Sequence, residues 1–200
     1  MSEESTAAAY AARAGEYTAA LGSIAAMHEQ DRALISAWAS SATGPILDAG
    51  CGPGHWSGWL HGRGHDVVGI DLVPEFVDSA RARFPGVRFE RGSLADLAAG
   101  DPVGGILAWY SLIHTAPEEV PGILEGFRAR LASGGTVLLG FFEGPSRQSF
   151  HHAVAPAYYW SAEDLSDLLR GAGFAVGATD RRASPEHRPH AAVAARRRDG

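Results

Sequence analysis

The chain has 200 residues, 46% of them hydrophobic and 20% charged, with a formal net charge of −6. That length carries one domain with a substantial core, and the acidic balance excludes a general nucleic-acid binder, because phosphate affinity rests on clustered positive charge. One cysteine excludes an internal disulfide, and a chain whose 17 basic residues are all arginine has neither a Schiff-base lysine nor a P-loop lysine.

Residues 1–42 are rich in alanine and carry Tyr10, Tyr17, Leu21, Ile24, Met27, Leu34, Ile35 and Trp38. They predict two or three helices that cap a sheet. The start Met1-Ser2-Glu3-Glu4-Ser5 is acidic, unlike a secretory signal, and no apolar run reaches membrane-spanning length, so a cytoplasmic location is expected. Residues 46–49 predict the first strand, which runs into Gly50-Cys51-Gly52-Pro53-Gly54. A short helix with Trp56, Trp59 and Leu60 follows, with Gly62 as a left-handed cap. Residues 66–71 predict the second strand, and Pro74 opens a helix bearing Phe76, Val77 and Ala80.

Residues 87–91 alternate apolar and charged side chains and predict the third strand; residues 105–110 are continuously apolar, as in a buried central strand. Thr115-Ala116-Pro117-Glu118 has capping-box spacing and starts a helix through Ile123, Leu124, Phe127 and Leu131, which Gly134-Gly135 ends. Residues 136–142 predict the fifth strand. Residues 143–160 form an aromatic, histidine-bearing insertion. Ser161 to Asp164 cap a last helix ending near Gly171 to Gly173, and short strands follow at 174–180 and 190–195. The six arginines of residues 181–200 read as a solvated tail. Alternation of strand and helix predicts an α/β fold of one domain, residues 1–200, with a mostly parallel sheet covered by helices on both faces.

The chemistry is concentrated in one stretch. An apolar strand, a glycine-dense turn, a helix, a second strand and the terminal acid Asp71 form the adenosine-binding arrangement of Rossmann-type folds. Asp71 follows Gly50 at the spacing of roughly 20 residues expected of an acid that accepts hydrogen bonds from ribose hydroxyls. The dinucleotide pattern G-x-G-x-x-G requires a third glycine where His55 stands. The pattern present is D-x-G-x-G-x-G, from Asp48 to Gly54.

With that pattern the chain resembles the class I S-adenosylmethionine (SAM)-dependent methyltransferases, and more narrowly small bacterial members of unassigned acceptor. The resemblance runs from about residue 8 onward. It includes residues 161–174, similar to a recurrent C-terminal helix and turn, and residues 109–114, placed like the family's motif IV. It implies a Rossmann-like sheet of seven strands, the last antiparallel, and methyl transfer from SAM to a small-molecule acceptor.

By the same resemblance, Asp48 orders the turn and approaches the amino-acid part of SAM, while Gly50, Gly52 and Gly54 give close backbone approach. Asp71 receives the ribose hydroxyls and Leu72 follows against adenine. Ser93 and Leu94 hold adenine through their backbone where the family often carries an acid, with Asp96 as a fallback. Tyr110 lines the methionine end, and Tyr10 or Tyr17 closes over the cofactor. His114 is the leading general base, ahead of His151 and His152; a hydrogen-bonded structural histidine is an equal reading. Cys51 reads as packing rather than as a nucleophile. No metal site is expected, since no second ligand cluster has recognisable spacing.

The acceptor pocket is expected under the N-terminal helices and the 143–160 insertion, with Phe141, Phe142, Phe150, Tyr158, Tyr159 and Trp160 available as walls. Neither nucleic acid nor membrane is expected as a partner, and the chain is expected to be a monomer or homodimer. Two rival readings stand: a module that holds SAM or its demethylated product without catalysis, and a nicotinamide-dependent oxidoreductase.

Overall fold

The computed structural model describes residues 3–184 and 187–199. Three helices lead the chain: α1 (Glu3–Ala11), α2 (Ala14–Leu21) and α3 (Glu29–Ala39). Strands and helices then alternate as β1 (Ile46–Ala49), α4 (His55–His61), β2 (Val67–Asp71), α5 (Pro74–Arg83), β3 (Arg88–Arg91), β4 (Val103–Trp109), α6 (Val120–Arg130) and β5 (Leu131–Phe142). The insertion folds as a small hairpin, β6 (Ser149–Phe150) and β7 (Ala157–Tyr158). The chain ends with α7 (Ala162–Gly171), β8 (Phe174–Ser184) and β9 (His187–Arg197).

The main sheet has seven strands in the order β3-β2-β1-β4-β5-β9-β8. Strands β1 to β5 pair in parallel, and β9 inserts antiparallel between β5 and β8. The central strands are apolar throughout because both sheet faces are covered. Leu107, Ile46 and Leu138 pack with Ile35 and Trp38 of α3, Leu60 of α4 and Val77 of α5. On the other face Ile106, Leu47 and Leu139 pack with Leu124 and Phe127 of α6 and Leu169 of α7. The first two helices stand apart from both layers, in a small cluster built around Ala14, Val73 and Phe76.

Several boundaries differ from the sequence expectations. Gly62 is right-handed, with φ −61°; the left-handed turn after α4 is taken by Gly64, at φ +89°. Helix α6 starts at Val120 rather than near Thr115, with Pro121 in its first turn. A helix already running through Pro117 would lack the amide hydrogen of Pro121 and would press its ring on the carbonyl of Pro117. The helix ends at Arg130, so Leu131 and Gly134-Gly135 belong to β5. Between Val103–Leu131 and Gly105–Thr136 the register shifts, and the extra β5 residues, Gly134 among them at φ +67°, bulge out.

The largest correction concerns the C-terminus. Residues 181–184 and 187–197 are not a solvated tail but parts of two eleven-residue strands. Ala191, Ala192, Val193 and Ala195 are buried, while the arginines find fixed partners. Arg181 pairs with Glu143 at 2.8 Å and with Glu163 at 2.5 Å. Arg182 pairs with Asp31, and Arg196 reaches the Gly134 carbonyl at 2.5 Å.

Candidate active site

The sheet order reverses at β1, whose neighbours β2 and β4 lead into helices on opposite faces. Such a switch point leaves a crevice at the carboxyl ends of the strands. A cavity of about 730 Å³ lies there, walled by the strand ends Asp48, Asp71, Trp109 and Phe142 and roofed by Thr6, Ala7, Tyr10, Tyr17 and Asp31 of the leading helices with Met27 between α2 and α3.

The glycine turn is pinned to the end of β2. The amides of Gly50 and Cys51 both donate to the Ile70 carbonyl, at 2.8 and 3.0 Å. The amide of Gly52 donates to Asp71 Oδ2 at 2.8 Å, and that of Val73 to Oδ1 at 2.9 Å. Burial pushes the Asp71 carboxyl up, opposed by these amide bonds and by one from Leu72. Each carboxylate oxygen retains a lone pair for a further donor. Gly50, Gly52 and Gly54 all have positive φ, at 79°, 53° and 79°. Their surroundings differ. A Cβ on Gly50 would meet Ser111 at 2.3 Å, and one on Gly54 would meet Ala80 and Phe89 at 2.8 Å. At Gly52 nothing lies within 4 Å, so a ligand can approach its bare backbone from the cavity.

Asp48 is almost fully buried beneath the turn and accepts from the Ser57 hydroxyl of α4 at 2.6 Å. Burial raises its carboxyl to about 7, against the stabilising Ser57 hydrogen bond. Cys51 is buried, and its thiol is pushed up by that burial and by Asp48 and Asp71. Packing is therefore its role, since a nucleophilic thiol needs the opposite shift. His55, the first residue of α4, is held down at about 4 by burial and by Arg83, hence neutral.

His114 has both ring nitrogens engaged. Nδ1 lies 2.8 Å from the Pro156 carbonyl and Nε2 lies 2.8 Å from the Tyr10 hydroxyl. A carbonyl only accepts, so Nδ1 carries the hydrogen and Nε2 accepts from Tyr10. Burial lowers the pKa of His114 and raises that of Tyr10. One imidazole thus joins α1, the loop after β4 and the insertion. His152 lies beside it, ring centroids 5.3 Å apart, and burial holds it at about 4. His151 is exposed and off the cavity wall.

Most sequence-predicted residues converge here: Tyr10, Tyr17, Asp48, Gly50, Gly52, Asp71, Leu72, Leu94, Tyr110 and His114 all line the cavity. Tyr110 does so from a left-handed backbone, φ 57°. Gly54 is not on the wall; it starts α4. Ser93 is also off the wall, buried, with its hydroxyl capping the turn at Leu94–Asp96 by accepting from the Ala95 amide at 3.0 Å. Asp96 is exposed. Of the aromatic insertion, Trp160 and Phe141 are core residues and Phe150 stacks on Tyr159 at 4.2 Å. Among the proposed walls only Phe142 faces the cavity, with His152. The other aromatic walls are Trp56, Phe76 and Trp109, which in the sequence look like core. Asp31, Arg182 and His190 also line it, and sequence reasoning missed them. The unbroken apolar run at residues 191–195 marks a strand there, with no local sign of which side chains reach the cavity.

A family model described as a methyltransferase domain matches residues 46–135, the segment from β1 through the bulge of β5. The trans-aconitate 2-methyltransferase of Rhizobium meliloti is 34% identical over 110 residues, covering 53% of this chain and 41% of that protein. Over these segments and in its fold, the chain is similar to SAM-dependent methyltransferases. A TehB-like SAM-dependent methyltransferase from Corynebacterium glutamicum has 26% identity and a TM-score of 0.70, over 96% of this chain and 98% of that one. The 1,6-didemethyltoxoflavin-N1-methyltransferase of Burkholderia thailandensis, solved with 1,6-didemethyltoxoflavin and S-adenosylhomocysteine, shares the fold at a TM-score of 0.79 and 23% identity, over 100% and 92% of the two chains. The chain spans about half the length of the curated relatives it matches. Among the described residues, no helix is long and apolar enough to cross a membrane.

Proposed function

We propose that this protein transfers a methyl group from SAM directly to a small-molecule acceptor. The observation that carries the reading is one continuous cavity. It joins the bare backbone of Gly52 and the Asp71 carboxylate to a second, aromatic compartment past the end of β4. When bound, SAM supplies a methyl group on positive sulfur, open to in-line attack. Asp71 holds the ribose with its remaining lone pairs, Leu72 and Leu94 flank the adenine, and the turn from Gly50 to Gly52 admits the amino-acid end. Asp48 fixes that turn through Ser57 rather than meeting solvent. Alignment of acceptor and donor then contributes most of the acceleration, up to roughly 7–11 kcal/mol in the best intramolecular analogues.

Proton removal, where the acceptor needs it, runs through Tyr10. Nε2 of His114 is already committed to the Tyr10 hydroxyl. Tyr10 takes the acceptor's proton while giving its own to His114, and the Pro156 carbonyl keeps the ring oriented. Trp56, Trp109 and Phe142 exclude water. Calorimetric titration with SAM, S-adenosylhomocysteine and NAD, followed by label transfer from methyl-labelled SAM to phenols, amines and thiols, tests the reading. Micromolar SAM with NAD silent and label transferred is expected. SAM binding without transfer to any acceptor would leave a non-catalytic module, and NAD binding alone would refute the reading.

A further inference from the structure

The compartment beyond β4 has a chemistry of its own. Phe142, His190 and Arg182 stand in one row across β5, β9 and β8, because Phe142 pairs with His190 and His190 with Arg182. From β2, which carries Asp71, to β9 is four strand steps, roughly 19 Å at about 4.8 Å each. This row therefore closes the end of the cavity opposite the ribose-binding carboxylate.

Between the two ends runs a nearly unbroken wall of rings. Centroids step 5.4 Å from Tyr10 to His114, 5.3 Å to His152, 5.9 Å to Phe142, 5.0 Å to Tyr110 and 5.5 Å to Trp109. All six side chains line the cavity. Contiguous rings at these separations offer stacked and edge contacts to a flat conjugated guest.

The charges at the end wall cancel. Arg182 is the one arginine among the described residues lining the cavity. It is bidentate on Asp31, at 2.7 and 3.3 Å, and both side chains are less than one-fifth exposed. The Tyr110 hydroxyl is hydrogen-bonded to His190 Nδ1 beside them. The imidazoles of His114 and His152 are kept neutral by burial. At this wall a carboxylate meets an Arg182 already paired, and an ammonium meets an Asp31 already paired; either loses hydration with little compensation there. An uncharged polar edge loses much less. It meets the remaining guanidinium hydrogens of Arg182, the second lone pairs of Asp31 and the Tyr110 hydroxyl.

We propose that the acceptor is an uncharged, planar conjugated ring whose polar edge docks on Tyr110, Arg182 and Asp31, and that the Asp31–Arg182 pair sets specificity by excluding charged acceptors. The proposal rests on the methyl-transfer reading and names the acceptor class for that site.

The test is calorimetric, on the full chain saturated with S-adenosylhomocysteine, with three bicyclic probes of similar size: 2-quinolone (uncharged), 2-naphthoate (anionic) and 2-naphthylmethylamine (cationic). The quinolone is expected to bind at least tenfold more tightly than either charged probe. Asp31→Asn frees the guanidinium and is expected to move the ranking at least tenfold towards 2-naphthoate. Arg182→Gln frees the carboxylate and is expected to move it towards the amine, so the exchange stays measurable should one variant fail to fold. Equal or tighter binding of a charged probe to the natural chain, no binding of any probe, or a ranking unmoved in the folded variants overturns the proposal. Titration with S-adenosylhomocysteine alone comes first. Its failure would remove the methyltransferase reading and the proposal with it, whereas cofactor binding with the wrong probe ranking removes only the acceptor class.

Discussion

Gly52 and Gly54 belong to one motif, yet the structure assigns them different work, and alanine at each position separates the two. Both have positive φ, so a side chain costs about 1–3 kcal/mol of backbone strain at either site. At Gly54 the added methyl also meets Ala80 Cβ and Phe89 Cζ at 2.8 Å, inside a cluster that includes Phe89, Ala80 and Trp56. Overpacking there adds about 1–3 kcal/mol. A total of about 4 kcal/mol lowers the Tm by roughly 12 °C in a chain of this length. At Gly52 nothing lies within 4 Å, so only strain remains, and Tm falls by roughly 3–9 °C. Its methyl, however, projects into the cavity, and S-adenosylhomocysteine affinity is expected to fall at least tenfold. Differential scanning fluorimetry and calorimetric titration of both variants read the two effects. A Gly54→Ala protein melting within 3 °C of the natural one, or a Gly52→Ala protein with unchanged affinity, would refute the assignment.

Four further outcomes are expected. Asp71→Asn removes an acceptor from the amides of Gly52 and Val73, so cofactor affinity drops at least tenfold by calorimetry with a modest loss of Tm; unchanged affinity contradicts the ribose placement. Ser57→Ala removes the hydroxyl that donates to Asp48, costing about 1.5–3 kcal/mol when that group is a carboxylate. Because Asp48 titrates near 7, the loss in urea unfolding is larger at pH 8.5 than at pH 5.5, and equal losses at both would count against the raised pKa. His55 is depressed to about 4 from 6.5, so the folded state favours its neutral form. The stability it contributes is full above pH 6.5 and lost as pH falls towards 4, up to about 3 kcal/mol; His55→Gln should flatten that part of the stability–pH curve, and an unaltered curve would show that other groups govern it. Tyr10→Phe and His114→Ala are expected to lower turnover of an ionisable acceptor alike, each leaving cofactor affinity within threefold; full turnover in Tyr10→Phe defeats the relay.

The half of the candidate site around the glycine turn and Asp71 was legible because its pattern is local. A turn that must bend three times through positive φ needs three glycines close together, and an acid at the end of the next strand lies beside that turn through parallel pairing alone. Asp48, Gly50, Gly52 and Asp71 are therefore written within 24 consecutive residues. Strand existence was legible for the same reason: runs such as residues 105–109 are apolar at every position because both faces are covered. Boundaries were less so. The Thr115 capping pattern is real in sequence but yields to Pro121, and Gly134-Gly135 is a bulge within a strand rather than a helix stop.

The acceptor half is assembled from residues that lie far apart in the chain and carry no spacing rule. Arg182 meets Asp31 across 151 positions, Tyr110 meets His190 across 80, and Tyr10 meets His114 across 104. Composition misled most at the C-terminus. Counting charge made residues 181–200 a basic tail, yet the apolar run at 191–195 pairs on both sides within the sheet and buries Ala191, Ala192, Val193 and Ala195. Because β9 inserts between β5 and β8, pairing sets His190 of β9 beside Arg182 of β8 at the cavity. A chain in which charge alone decided placement would leave Arg182 hydrated and Asp31 unpaired. The sheet instead brings the two together over the end of the cavity, which is why the net charge of the chain says so little about the charge its acceptor can carry.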